Sequence, residues 1–428
     1  MIILYIIILL QYLKYVKKDL NSGFCISPTF LMLSTFVLLY VVPEFLNFLY
    51  DFNLRKSFFI EKHEFLYHFS VIISFFSLLG GIHLSKKRQQ KKRTILFEKY
   101  VSLSRGAFLL ANLFLLLGVY AGFKSLQNMG DIYSVLFSTR FGGDYIEARI
   151  MGENSGIIGV LVWLIPINLA YIYIYIQYRF RSVIIGFLYK SLIFLIPVSI
   201  FLLLTVRHNL ISLIILIFYY FLFTNYKFAK KAFYLFPILF VVIIFMQGIR
   251  VSGIEKVESK ESIEFFLESL EHKNVTHKII NDVSRKGFTY FEHIGDVFVF
   301  LVPRAVWADK PIGGYLNNHH FPEVARIGSE KAIGIVGEGY SAFGLVGVFL
   351  LSGLLGYVIY SVQLKISEEP DLVKKLFWAA IIIPLSYFSI RSNMFGKHLI
   401  NSLLVLLNIF IISKFQSWHI KLNEKNSN

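Results

Sequence analysis

Long apolar runs recur along this chain and constrain its fold more than any other feature of the sequence. Each is long enough, or nearly so, to cross the roughly 30 Å hydrocarbon core of a bilayer as a helix. The runs cover approximately residues 1–15, 28–49, 66–84, 104–124, 156–177, 183–204, 209–224, 233–249, 336–361, 376–392 and 398–414. Because 56% of the 428 residues are hydrophobic, a soluble fold is excluded. The sequence predicts an all-α polytopic integral membrane protein with about 11 transmembrane helices.

Basic residues concentrate in the short segments on one side of these runs. The most basic is residues 86–93, with the sequence KKRQQKKR, which predicts a cytoplasmic loop. Counting spans alternately from it makes the other basic loops and the C-terminal tail cytoplasmic and the N-terminus external. The first run lacks a basic start and a small-residue cleavage site, so we interpret it as a span and not as a signal peptide. The net charge of +16 therefore reflects membrane topology, and we expect no nucleic-acid partner.

This topology predicts three regions along the chain. Residues 1–249 form the first eight spans and include an extended outer loop at about 125–155. Residues 250–335 form the longest external loop, between the eighth and ninth spans, and residues 336–428 form the last three spans and the cytoplasmic tail. Apolar residues in 258–283 recur at helical spacing with charged residues between them. That pattern predicts an amphipathic helix lying on the membrane or on the bundle, and a solvated spacer helix is the alternative.

The stretch 297–361 carries the strongest functional signal. An apolar start is followed by a polar loop, a small-residue turn and an apolar run of about 20 residues, the length of a span. Its loop and turn hold Arg304, Asp309, Lys310, His319, His320, Arg326 and Glu338. We expect these residues to crowd together at one membrane surface.

Two segments of this stretch, LVPRAVWADKP and GIVGEGYSAFGLVG, resemble the Wzy-type polysaccharide polymerases, also called O-antigen or oligosaccharide repeat unit polymerases. In that family a Pro-Arg-x-x-Trp-x-x-Lys-Pro segment lies in a long periplasmic loop, and a Gly-Glu-x-Tyr-x-x-Phe-Gly turn opens the next helix. The resemblance implies a GT-C-like helical bundle in the bacterial cytoplasmic (inner) membrane. It also implies a glycosyltransferase that joins undecaprenyl-pyrophosphate-linked repeat units at the outer face, with a flippase and a chain-length regulator as partners and without a cofactor.

Four arginines fall at the expected outer ends of different elements: Arg140, Arg207, Arg304 and Arg391. A guanidinium group is always charged and matches phosphate oxygens in a bidentate fork, so together they suit a pyrophosphate leaving group. The alternative is that each contacts lipid headgroups. The family has an Arg near the position of Arg391 and a Gly-x-Arg pattern where this chain has Thr205 before Arg207. We predict catalytic roles for Arg207 and Arg304 and substrate binding by Arg140 and Arg391.

Glu338 is expected at the outer mouth of the ninth span. One interpretation is that its carboxylate lies in the first turn of the helix and interacts favourably with the helix dipole. The other is that it serves as a base or an orienting group for a sugar hydroxyl. The further predicted substrate-binding residues are Lys310, Tyr340, Arg326 and His319. Residues 337–342 resemble a dinucleotide fingerprint, but no βαβ unit surrounds them, and their glycines suit close helix packing instead. Adjacent histidines point apart, and the single Cys25 excludes a cysteine cluster, so we predict no metal site.

Three other functions remain open from the sequence. The related O-antigen ligase has a similar architecture and a different acceptor, although the two quoted motifs favour a polymerase. A non-enzymatic flippase or transporter of lipid-linked glycans would place charges within the spans, whereas polar residues here concentrate in two outer loops. A structural scaffold of an export complex would not need arginines at the membrane surface.

Overall fold

A computed structural model of the chain describes residues 2–21, 27–45, 61–88, 103–128, 161–179, 207–225, 272–302, 307, 314–326, 331–392 and 402–415, together with residues 191, 195, 196 and 199. These described residues form helices and contain no β-strand. In chain order the helices are α1 (Ile2–Asn21), α2 (Pro28–Phe45), α3 (Glu61–Arg88), α4 (Arg105–Asn128), α5 (Leu164–Arg179), α6 (Arg207–Thr224), α7 (Lys273–Lys286), α8 (Asp296–Leu301), α9 (Tyr315–His320), α10 (Pro322–Arg326), α11 (Gly334–Glu368), α12 (Leu372–Arg391) and α13 (Ser402–Phe415). A 3₁₀ turn at Glu292–Gly295 precedes α8.

Within the described ranges, five helices are long and apolar enough to cross a membrane: α2, α3, α4, α11 and α12. They coincide with the spans predicted at 28–49, 66–84, 104–124, 336–361 and 376–392. The all-helical class is confirmed, and the apolar helices fit a multi-pass membrane protein. Most of the run at 183–204, the run at 233–249 and most of the loop at 125–155 lie outside the described residues. The total of about 11 spans therefore stays a prediction.

The closest packing in the bundle joins α3 to α11 through small residues. A Cβ on Gly81 would overlap the carbonyl oxygen of Gly353, and a Cβ on Gly356 would overlap that of Leu78. Two serine pairs hydrogen-bond across the same interface. Small residues let helix backbones approach closely, which is how helices associate where no water is present to drive them together. This interface makes α11 the central helix of the described bundle.

Helix α12 packs against the other side of α11 and contacts α2, α5 and α6. It begins where the Asp371 carboxylate accepts a hydrogen bond from the Val373 N–H at 3.0 Å, an N-cap that satisfies one free donor of the first turn. It contains Pro384 and ends at Arg391, which the sequence placed at the outer end of the tenth span. Helix α2 begins at a similar cap, where the Ser27 hydroxyl accepts from the Phe30 N–H at 2.9 Å.

The segment 258–283, predicted to be an amphipathic helix, is described from residue 272 onward and forms the first part of α7. One face of α7 is buried against α3 and α11, with Ile279 and Ile280 almost completely covered. The opposite face carries charged residues that are half-buried along most of α7 and exposed at its end, at Arg285 and Lys286. Over these residues the segment is a helix with one face packed on the bundle, and its place in an external loop stays a prediction.

Candidate functional site

Helix α11 is broken near its start, within the Gly-Glu-x-Tyr-x-x-Phe-Gly segment. Phe343 and Gly344 leave helical geometry, and Gly344 has a φ of 61°, a left-handed conformation that glycine adopts without strain. The short part, 334–342, folds back onto the long part, 345–368, so closely that a Cβ on Gly347 would overlap the carbonyl oxygen of Gly339. The sequence predicted one unbroken span over 336–361, and the structure divides that stretch.

The short part of α11 carries Glu338, which is fully buried. Its Oε1 lies 2.9 Å from Nε2 of His293, whose side chain is 1% exposed. Gly337 and Gly339 explain the burial, because they let the short part press against Ile279 of α7 on one side and against the long part on the other. The sequence suggested that Glu338 lies in the first turn of the helix or is accessible at its outer end. In the structure it lies beyond the first turn and is buried. It is half of a buried carboxylate–imidazole pair.

Such a pair suits proton transfer. Nε2 of His293 and Oε1 of Glu338 are within hydrogen-bonding distance, so a protonated Nε2 donates to the carboxylate. A carboxylate or an imidazole placed near a reacting hydroxyl is the usual general base in proteins. The ring of Phe291 lies 5.7 Å from the His293 ring, measured between centroids, and helps to cover the pair.

A second buried network lies one turn further along the short part. The Nε2 atom of His320 is 2.8 Å from the Ser341 hydroxyl, and its Nδ1 is 3.2 Å from a carboxylate oxygen of Asp282. The Thr289 hydroxyl lies 3.1 Å from that of Ser341. Burial and the neighbouring His319 lower the pKa of His320, so the neutral imidazole is favoured. This order of Asp, His and Ser is that of an activated nucleophile, but Ser341 is fully buried and serves to join α7, α9 and α11.

The broken helix end is capped by the loop that follows α7. The backbone N–H of Thr289 donates to the Ser341 carbonyl at 2.9 Å, and that of Tyr290 donates to the Ala342 carbonyl at 3.3 Å. A helix that ends inside a protein leaves carbonyl groups without intrahelical partners, and these two bonds satisfy them. The cap holds residues 289–293, including His293, beside the short part of α11.

Only some of the predicted substrate-binding residues can be located. His319 is half-buried on α9, its ring stacked on that of Tyr315 at 5.7 Å between centroids. Tyr315 donates its hydroxyl to Glu292, and burial together with that carboxylate raises the pKa of Tyr315 to about 12. Tyr340 is buried on the short part of α11, two residues after Glu338. Tyr340 and Glu338 thus lie on one short helix, and His319 is the neighbour of His320, which contacts that helix through Ser341.

The predicted arginines are located less completely. Arg391 is half-buried at the end of α12, where its Nη1 donates to the Tyr387 hydroxyl at 2.9 Å. Its carbonyl oxygen is 2.8 Å from Nε2 of His272, and the preceding carbonyl lies beside Gly334, so Arg391 sits near the start of the short part. Arg207 is the first residue of α6 and Arg326 is the last residue of α10. Only the backbone of each is described. Arg140, Arg304 and Lys310 lie outside the described residues. Their convergence on one ligand stays a prediction.

One end of α2 and one end of α3 are tied to the start of α7 by an ion-pair cluster. Lys273 Nζ lies 3.3 Å from a carboxylate oxygen of Glu44 and 3.1 Å from one of Glu64. Burial alone would lower the pKa of Lys273, but the two carboxylates outweigh it and raise that pKa. The cluster explains why α7 is fixed at this end of the bundle.

Sequence reasoning missed His293, Asp282 and Thr289 as members of the site. His293 follows an aromatic pair in the segment YFEHIGD, and no spacing rule links it to Glu338, which is 45 residues further along the chain. The available signal was the position of Glu338 inside an apolar segment. A buried carboxylate is costly to leave unpaired, so a buried polar partner was to be expected.

A scan against protein-family models, a search of curated proteins and a search of solved structures each found no match.

Proposed function

We propose that this chain is a membrane glycosyltransferase that polymerises undecaprenyl-pyrophosphate-linked oligosaccharide repeat units into O-antigen, capsular polysaccharide or exopolysaccharide. The reaction would occur at the outer face of the bacterial cytoplasmic membrane. The observation that carries the proposal is the buried hydrogen bond between His293, on the 3₁₀ turn before α8, and Glu338, on the short part of the broken helix α11. The same helix bears the Gly-Glu-x-Tyr-x-x-Phe-Gly segment of the polymerase resemblance.

In the proposed reaction, a hydroxyl oxygen of the incoming lipid-linked unit attacks the anomeric carbon of the growing chain. The new glycosidic C–O bond forms as the bond from that carbon to the pyrophosphate oxygen breaks. The hydroxyl proton passes to the Glu338–His293 pair, and undecaprenyl pyrophosphate leaves with the bonding electrons. A positioned acid–base group typically contributes roughly 10²–10⁴-fold to such a step. In this proposal Phe291 swings away from His293 when substrate binds.

Arginine side chains supply the other requirement of this chemistry, which is stabilisation of the departing pyrophosphate. Preplaced positive charge acts strongly where water is excluded. Arg391 already lies beside the start of the short part of α11, with its guanidinium held by Tyr387. We propose that Arg140, Arg207 and Arg304 join it, with Arg304 and Arg207 closest to the leaving group. Lys310, Arg326, His319 and Tyr340 would then contact the glycan.

The test is a polymerisation assay with purified protein in lipid nanodiscs and undecaprenyl-pyrophosphate-linked repeat units from the native host. The proposal expects a ladder of lengthened glycans from the wild type and little product from Arg391→Lys, because an ammonium group cannot supply a planar fork. Arg105→Lys, an exposed residue that begins α4, is the matched control and should keep the ladder. Transfer to a lipid A core acceptor without any ladder would identify a ligase instead. Movement of intact units across the bilayer of sealed proteoliposomes, without new bonds, would identify a flippase.

A further inference from the structure

Three exposed aromatic rings form a continuous surface beside the break in α11. Phe288, Tyr290 and Phe343 are 41%, 62% and 39% exposed. The rings of Phe288 and Tyr290 meet edge to face at 6.2 Å between centroids, and those of Tyr290 and Phe343 meet at 5.4 Å. We call these three residues the aromatic lip. Exposed aromatic groups that contact one another are costly in water and commonly mark a binding surface.

The backbone that exposes the aromatic lip is conformationally strained. Tyr290 and Phe291 have φ values of 46° and 62°, left-handed conformations that residues with large side chains rarely adopt. The two capping bonds from Thr289 and Tyr290 to the end of the short part of α11 fix this conformation. As a result Thr289 points into the protein, and Tyr290 points away from it.

The lip is continuous with the exposed apolar face of a candidate membrane span. Phe343 lies immediately before the long part of α11, and its Cβ is close to Gly347 in the first turn. Further along the same helix, Val346, Phe349 and Leu350 are all more than half exposed. In a bilayer these side chains face lipid, so the lip lies at the end of a lipid-facing surface.

The chemistry around the lip matches the membrane–water interface. Arg285 and Lys286, just before it at the end of α7, are exposed and basic. The Lys286 Nζ donates to the His319 carbonyl at 2.9 Å, and the Arg285 side chain suits contact with anionic headgroups. Aromatic side chains with an apolar body and at most one polar tip are enriched at that level of membrane proteins. The three rings carry one hydrogen-bonding group among them, the Tyr290 hydroxyl, so the surface that they form is mainly apolar. We propose that the aromatic lip inserts into the headgroup and upper acyl region of the lipid bilayer.

This insertion sets the depth of the candidate site. Phe291 packs between Phe343 and His293, with ring centroids 5.4 Å and 5.7 Å away, so the Glu338–His293 pair lies directly behind the lip. The pair is therefore at the level of lipid headgroups. This last step rests on the proposed function. The pyrophosphate of a lipid-linked substrate reaches the pair laterally from the membrane, while its isoprenoid chain stays in the bilayer.

The test measures depth with nitroxide labels in the full-length protein. Cys25 is the single cysteine, so Cys25→Ser gives a background for labelling Phe288→Cys, Tyr290→Cys and Phe343→Cys one at a time. Each is reconstituted in phosphatidylcholine and phosphatidylglycerol vesicles, and collisions with oxygen and with a water-soluble nickel chelate are compared. Ser284→Cys, exposed on α7, is the aqueous reference, and Leu354→Cys, exposed within α11, is the deep reference.

We expect labels on the lip to show fewer nickel collisions and more oxygen collisions than a label at Ser284→Cys. Compared with a label at Leu354→Cys, they should show more nickel collisions and fewer oxygen collisions. Nickel collisions equal to those of Ser284→Cys would overturn the proposal and fit a water-facing glycan platform. Protection from both reagents would also overturn it, because the lip would then be covered by protein. Three positions are used so that one poorly folding variant does not prevent the measurement. No substrate is present, so the result is independent of whether the chain makes polysaccharide.

Discussion

The Nε2 atom of His293 lies 2.9 Å from the Oε1 atom of Glu338, and both side chains are buried. The two residues come from different segments, one from the 3₁₀ turn before α8 and the other from the short part of α11. A buried carboxylate is costly unless it is paired. This hydrogen bond therefore fixes the segment that follows α7 onto the short part of α11.

His293→Ala should destabilise the protein, because it removes a hydrogen-bond partner of a buried carboxylate. Such a loss typically costs about 1–3 kcal/mol. Thermal unfolding in detergent measures it, with His83→Ala, at an exposed position of α3, as the control. The double variant with Glu338→Gln should lose less than the sum of the two single changes. Strictly additive losses would mean that the two side chains do not stabilise each other.

Gly347→Ala should disturb the break in α11, because its Cβ would overlap the Gly339 carbonyl oxygen. Overpacking of this kind typically costs about 1–3 kcal/mol. Gly353→Ala is the matched control on the same helix, since its Cβ would meet only the Ser77 carbonyl oxygen at an ordinary 3.7 Å. Equal unfolding temperatures for the two variants would show that the short part does not pack against the long part.

Acidification should destabilise the protein through His277 on α7. Burial and the nearby Lys273 lower its pKa to about 4, whereas an unfolded histidine titrates near 6.5. Between these values the unfolded chain binds a proton that the folded chain does not. The stability contribution is therefore fully present above about pH 6.5 and is lost as the pH falls toward 4.

At about 1.4 kcal/mol per pKa unit, the loss at His277 reaches at most about 3 kcal/mol. In His277→Gln the free energy of unfolding should fall less with decreasing pH than in the wild type. Denaturation measured between pH 7.5 and 4.5 tests this. Part of the slope should remain, because the pKa of buried His320 is lowered in the same direction. An unchanged slope in His277→Gln would show that this imidazole does not resist protonation.

The sequence predicted the coarse architecture because apolar length is a local property. Helices α2, α3, α4, α11 and α12 lie where the apolar runs predicted spans. The break in α11 was missed, since Phe343 and Gly344 stand within an apolar run that reads as continuous helix. What bends the chain there is the contact of Gly339 with Gly347 and the cap from Thr289, and neither is visible in local periodicity.

The candidate site was predicted only in part for the same reason. Glu338 was selected from its motif, and its burial follows from packing against α7 that the sequence pattern does not specify. Its partner His293 comes from a segment without a recognisable motif. Arg391 was correctly placed at a helix end, while the positions of Arg140, Arg304 and Lys310 stay predictions.

The orientation in the membrane is open to a direct labelling test. In a Cys25→Ser background, Ser284→Cys should react with an impermeant thiol reagent added outside intact cells, because the predicted topology puts α7 in the external loop. Lys87→Cys, exposed at the opposite end of α3 beside the basic loop, should react only after the membrane is opened. The reverse pattern would put the Glu338–His293 pair on the cytoplasmic side and remove the proposed outer reaction.

The central claim is that Glu338 accepts the proton of the attacking hydroxyl, and Glu338→Gln tests it most directly. Glutamine keeps the size and much of the hydrogen bonding of glutamate and lacks the basic carboxylate. In the nanodisc assay with lipid-linked repeat units, the variant should fold, bind lipid and accumulate single units, with a rate lowered by roughly 10²–10⁴-fold. Glu368→Gln, exposed at the far end of α11, should give the wild-type ladder. A full ladder from Glu338→Gln at wild-type protein levels would contradict the account.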